Sequence, residues 1–255
     1  MNYIKFFESF NSIDEICKKY EITNYTINSD GTIDVEGDVD LKGKDFWRDA
    51  NRHVYTLDKL PLKFRKVNGT FDCRYNKISS LEGSPIEVTG SFYCSDNRLT
   101  SLEFCPKYVN RFLAGNNLLT NLINGPIDTK GDYDVSENKL ISLEGCPKNI
   151  GGYFGIDNNN LYNIDYFPNN INNTIFLNNN PICKIIELFI KNDNGMKATD
   201  IMERNQINEK VIYNFLQSLD YNYIRGSNII KSRFLEACEE FNIEMPESIN
   251  GYKYI

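Results

Sequence analysis

Three groups of residues have the types and spacing that chemistry would need. Asp132 and Asp134 alternate along one predicted strand, and Asp157 follows one repeat later. Carboxylates sharing a face can divide acid and base roles or hold a cation. Cys73 and Cys94 stand 21 residues apart in equivalent positions, a spacing that stacked repeats would bring together as a disulfide or a pair of soft metal ligands. His53 is the only histidine, which leaves a His-based triad or a His-rich metal site without its parts. Each group also has a plainer role. Acidic side chains keep a sheet face in water, free Cys is a favoured small core residue, and a lone His suits a surface loop. The stretch from Asn28 to Asp34 lacks calcium-loop ligand spacing and reads as a turn. Gly151, Gly152 and Gly155 belong to a repeat's own glycine slots and not to a phosphate cradle. No catalytic residue, metal or cofactor is expected.

What positions these residues is an internal repeat. Val67 to Ile78 returns as Val88 to Leu99, then from Val109, Thr129, Ile150 and Ile171. The consensus is V-x-G-x-Φ-x-Φ-x-x-N-x-L-x-x-L-x-G-x-P. Phe71/Cys73, Phe92/Cys94, Phe112/Ala114, Tyr133/Val135, Phe154/Ile156 and Ile175/Leu177 alternate with polar neighbours, which predicts strands with one face inward. Asn76, Asn97, Asn117, Asn138, Asn159 and Asn180 hold one fixed slot. An amide there can donate to and accept from backbone groups of its own and the neighbouring coil. A unit of this length leaves too little chain for a helix on the outer side, so that side is predicted to be extended or 3₁₀.

The pattern resembles the leucine-rich repeat signature L-x-x-L-x-L-x-x-N-x-L, with Phe and Cys in the strand slots, over residues 35–185. A closer likeness is to the short leucine-rich repeat proteins encoded by tailed bacteriophages, in which blocks such as Ser80 to Pro85 and Ser142 to Pro147 recur. The 35 Asn against four Ala suit an A·T-rich coding genome. The resemblance implies an α/β repeat solenoid, a right-handed coil with a parallel concave sheet, and a recognition role without a reaction.

Composition narrows the partners. In 255 residues, 28 Lys+Arg face 35 Asp+Glu, a net charge of −7. Duplex nucleic acid and anionic membranes both need a basic face. No apolar run approaches the ~20 residues of a membrane span, and Met1 to Glu8 show no leader pattern. The seven cysteines have neither paired spacing nor secreted-scaffold density, which predicts a reduced, cytoplasmic protein.

Three regions are expected: an N-terminal cap of helix plus hairpin over 1–34, a solenoid of about seven coils over 35–182, and a helical cap over 183–255. The first helix begins at a capping box from Asn11 to Glu15. Helices around Met196–Arg204 and Asn208–Leu219 invite a helix-turn-helix reading, but none is basic enough to read DNA. The remaining candidate surface is the outward sheet face, with Asp72, Arg74, Tyr93, Arg111, Leu113, Asp132, Asp134, Tyr153, Asp157 and Phe176 as partner-binding residues. Aromatics ringed by charge are the composition of protein hot spots. The expected partner is a protein, host-encoded if the chain is a phage product, such as a component of an antiviral defence system, with a virion assembly role or a carboxylate-based enzyme or carbohydrate binder as alternatives.

Overall fold

The computed structural model describes residues 13–43, 56–190, 223–240 and 243–255. The expected capping box, the insert containing His53, and the two helices between Met196 and Leu219 lie outside the described residues.

The repeats form a parallel β-solenoid of about seven turns. One sheet has seven strands in sequential order: Val39–Asp40, Phe71–Asp72, Phe92–Tyr93, Phe112–Leu113, Tyr133–Asp134, Phe154–Gly155 and Ile175–Phe176. Every neighbour is parallel and in register, so that Phe71 pairs with Phe92, Phe92 with Phe112 and Phe112 with Tyr133. The described coils contain no helix between residues 56 and 181. The outer side of these coils is without helix, as the unit length predicts, and the α/β class expected of the whole is corrected to a β-solenoid with little helix.

A second feature departs from expectation. The predicted single strand is two short strands in two sheets. Glu87–Val88 belongs to a flanking sheet, and Phe92–Tyr93 to the seven-stranded one. The bend between them falls at the consensus glycine. A Cβ on Gly90 would lie 2.5 Å from the carbonyl oxygen of Gly69 in the coil below. Only a residue without a side chain lets the backbones stack that closely.

Inward side chains fill the space between the sheets. The Phe71 and Phe92 rings stack with centroids 5.4 Å apart, and the column continues through Phe112, Tyr133 and Phe154. Cys73 and Cys94 sit fully buried beside it, and all seven cysteines are free thiols.

At the N-terminal end, residues 13–19 are helical and Tyr25–Ile27 pairs antiparallel with Ile33–Val35. Ile33–Val35 also pairs in parallel with Phe64–Val67, so the hairpin runs directly into the flanking sheet.

The C-terminal region is not all helical. Helices Cys183–Ile190 and Lys231–Glu240 are present, but Ile224–Arg225 and Asn228–Ile229 form a hairpin around Gly226, whose φ is +57°. Lys253–Tyr254, within the expected helical cap, adds to this hairpin in parallel. Apolar residues at 224 and 229 pack as a strand pair because the turn between them accepts a positive φ. Tyr252 docks the unit on the solenoid: its hydroxyl donates to the Tyr162 carbonyl at 2.8 Å, and the two rings meet edge to face. No helix among the described residues is long and apolar enough to cross a membrane.

Candidate functional site

The outward face of the seven-stranded sheet is organised by an asparagine ladder beneath its edge. Asn138 donates through Nδ2 to the carbonyls of Ala114 in the preceding coil and of Val135 and Ser136 in its own, while Oδ1 accepts the amide of Leu119. Asn76, Asn97, Asn117, Asn159 and Asn180 repeat this pattern. Each satisfies backbone groups that a tight bend would leave unpaired, and so fixes the height of each strand above the last.

The residue before each ladder Asn adopts a left-handed conformation. Tyr75, Asp96, Asn116, Glu137, Asn158 and Asn179 have φ between +51° and +59°. Asn and Asp tolerate this region better than other non-glycine residues, and four of the six positions carry one.

Side chains on the face are largely paired with one another. Asp72 is buried, 7% exposed, and receives Arg74 through two hydrogen bonds with Lys42 3.8 Å away. It supports Arg74 and presents little surface of its own, because two cations fold over a position that simple strand alternation places outward. The Arg74 guanidinium lies 4.8 Å from the centre of the Tyr93 ring, a cation–π geometry. Arg111, exposed, pairs with Asp132 at 3.3 Å.

A connected group lies further along. The Tyr153 hydroxyl donates to Asp134 at 3.2 Å, Ser136 donates to Asp134 through both backbone and hydroxyl, and the Tyr153 amide donates to Asp132. The rings of Tyr153 and Phe176 meet edge to face at 5.6 Å. Burial holds the Asp157 carboxyl above its usual range, and the Asp134 charge adds to this. Burial and the neighbouring Asp134 likewise push the Tyr153 hydroxyl up.

The structure thus brings Asp132, Asp134, Tyr153, Asp157 and Phe176 into one neighbourhood and Asp72, Arg74 and Tyr93 into another, with Arg111 and Leu113 on the strand between. Tyr93, Leu113, Tyr153 and Phe176 are all half-buried. Among the described residues no group of three or more His, Cys, Asp or Glu is arranged to hold a metal ion. Cys73 and Cys94 are carried by burial far above ordinary thiol behaviour and suit packing.

Sequence reasoning passed over another surface. Ile86, Tyr108, Ile127 and Phe104, outside the seven-stranded sheet, are each more than half exposed, as are Ile141 and Tyr166. Their signal was present: Ile86 and Ile127 take the slot that Lys107 and Lys148 fill in other coils.

Comparison with protein-family models, curated proteins and solved structures found no match for this chain.

Proposed function

We propose that this chain is a non-enzymatic, protein-binding solenoid of the leucine-rich-repeat type, encoded by a bacteriophage and acting in the host cytoplasm on a host protein, such as a component of an antiviral defence system. The observation that carries this reading is the row of half-buried Tyr93, Leu113, Tyr153 and Phe176 on a face whose charges already pair with one another. Such a face offers apolar anchors held in place before the partner arrives, so little conformational freedom is lost on binding. The Asn signature and the stacked parallel coils support the repeat type.

The test is affinity capture from bacterial host lysate with the wild-type chain, Tyr93→Ala and Leu113→Ala. Truncating a central anchor costs ~2 kcal/mol or more, so capture of the identified partner should fall by tens-fold. Equal capture by all three chains sinks the assignment. Copy number in purified virions separates host targeting from an assembly role.

A second reading rests on the Asp134–Tyr153 hydrogen bond and the raised Asp157. Carboxylates beside an aromatic pair also suit a carbohydrate. Titration with oligosaccharides against Asp134→Asn tests it.

A further inference from the structure

The seven-stranded sheet ends on a strand with no successor. In each earlier coil the two inward residues donate their amides to the coil that follows. Tyr133 and Val135 reach the carbonyls of Tyr153 and Gly155 at 2.9 and 2.8 Å, and Phe154 and Ile156 reach those of Thr174 and Phe176 at 2.9 and 2.8 Å. Ile175 and Leu177 hold the same positions in the last coil. Their amides, and that of Asn179, meet no acceptor among the described residues. Leu177 is only 4% exposed, and a backbone donor so enclosed is nearly always paired.

The chain closes the neighbouring bend itself. In the coil before, the Ile156 carbonyl receives the ladder Asn180 at 2.9 Å from the coil above. The Leu177 carbonyl receives the Cys183 Sγ–H at 3.2 Å in that place, besides its own Asn180 at 2.9 Å. What stays open is the edge: the amides of Ile175, Leu177 and Asn179 and the carbonyl of Ile175.

Exposed sheet edges are ordinarily guarded by charge or proline. From Asn169 to Asn180 the chain has neither. The opposite end is guarded: its strand carries Asp38, Asp40 and Lys42, and the Tyr25–Ile27 hairpin closes the flanking sheet. A second copy stacking head to tail would meet that hairpin, and two copies of the bare edge would set donors against donors. A parallel strand needs the amides of Ile175 and Leu177 and the carbonyl of Ile175. An antiparallel strand would also need the Leu177 carbonyl, which is engaged.

From this we infer that the edge at Ile175–Leu177 is a docking site for an extended segment of another protein, added as an eighth parallel strand. Carbonyls of that segment accept the Ile175 and Leu177 amides, and one of its amides donates to the Ile175 carbonyl. Its side chains are apolar at two alternate positions, which continue the inward rows over Ile175 and Leu177. The site lies four strands from Tyr93 and does not rest on the recognition reading.

The test uses the full-length chain and a fluorescent peptide with the sequence of residues 152–159, which places Phe154 and Ile156 at the two apolar positions. Anisotropy should show saturable binding. In the coil register the peptide's Gly155 N–H donates to Ile175, and its Ile156 N–H faces away. N-methylation at Gly155 should weaken binding roughly tenfold or more, and N-methylation at Ile156 should leave it unchanged. Ile175→Pro removes one donor from an edge, where proline is tolerated, and should weaken binding likewise. Tyr93→Ala should bind as the wild type does. Amide hydrogen exchange gives a second readout: Ile175 and Leu177 should exchange fast in the free chain and slowly with peptide bound. The inference is overturned if the peptide fails to saturate, if the two methylated peptides bind alike, if Ile175→Pro binds undiminished, or if Tyr93→Ala loses binding. Protection of both amides in the free chain would overturn it too, and assign the edge to another segment of this chain. Self-association in sedimentation velocity that Ile175→Pro abolishes would assign it to a second copy instead.

Discussion

Asn138 accepts the amide of Leu119 at 3.0 Å from one coil away, so a single side chain ties the core residue of one turn to the bend of the next. The other three bonds of Asn138 go to backbone carbonyls, and the side chain is buried. Alanine at this position strands several polar groups without water. Asn138→Ala should cost about 1–3 kcal/mol. Asn160→Ala, at an exposed position one residue past Asn159, should cost far less. Chemical denaturation of both variants measures the difference, and equal losses would mean the ladder has no special role.

Glu137 occupies the left-handed slot at φ +53°, where other coils place Asn116, Asn158 or Asn179. Its side chain is exposed. Glu137→Asn should therefore stabilise the chain, by a few tenths to about 1 kcal/mol. Thermal melts read this directly, and a destabilised variant would show that the glutamate makes a compensating contact.

Tyr133 takes the place in the aromatic column that phenylalanine holds in four other coils, and its buried hydroxyl has no hydrogen-bond partner. A Cβ at Gly125 would lie 3.5 Å from this hydroxyl, but glycine has no side chain to offer it a partner. Tyr133→Phe removes an unpaired polar atom without changing the ring and should raise stability by about 1 kcal/mol. A loss of stability on denaturant titration would refute this.

Asp157 has a raised native pKa because burial penalises its charge and Asp134 lies nearby. The native chain consequently holds this proton more tightly than the unfolded one. The group favours folding when pH falls below its unfolded value, and weighs against folding once pH rises above its native value. Asp157→Asn should melt higher than the wild type at about pH 7, with the gain shrinking as pH drops through the carboxylate range near 4. A gain independent of pH would point to packing in place of charge.

Buried thiols should be slow to react. Desolvation raises Cys73, Cys94, Cys105 and Cys146 alike, and the thiolate is the reactive form. All seven cysteines should label in denaturant without prior reduction and few should label in the native chain. Mass spectrometry after each treatment counts them.

The repeat and its Asn slot were legible because both recur at one spacing, and each recurrence excludes another register. The division into two sheets was not. The consensus V-x-G-x-Φ alternates like a single strand, and only the approach of Gly90 to Gly69 shows why the chain must turn there. Alternation also placed Asp72 outward correctly by direction, yet Arg74 and Lys42 close over it. Strand spacing says where a side chain points and nothing about what folds across it. The C-terminal hairpin was hidden for a different reason. Ile224, Ile229 and Ile230 suit a helix as well as a strand pair, and Gly226 with its positive φ decides between them. The exposed residues around Tyr108 broke the polar pattern of their slots, a departure visible only against the repeat.

In-register pairing has a mechanical consequence. Each coil bonds only to the coil before it and the coil after, so cohesion is carried link by link along one axis. Pulled or heated, such a rod should open from its weaker end inward. Phe71, Phe92 and Phe112 are wholly enclosed, whereas Ile171 and Ile175 near the far end are only partly covered. The last coil is thus the natural place for unzipping to start, and Tyr252, bonded to Tyr162 from ninety residues away, acts there as a clasp.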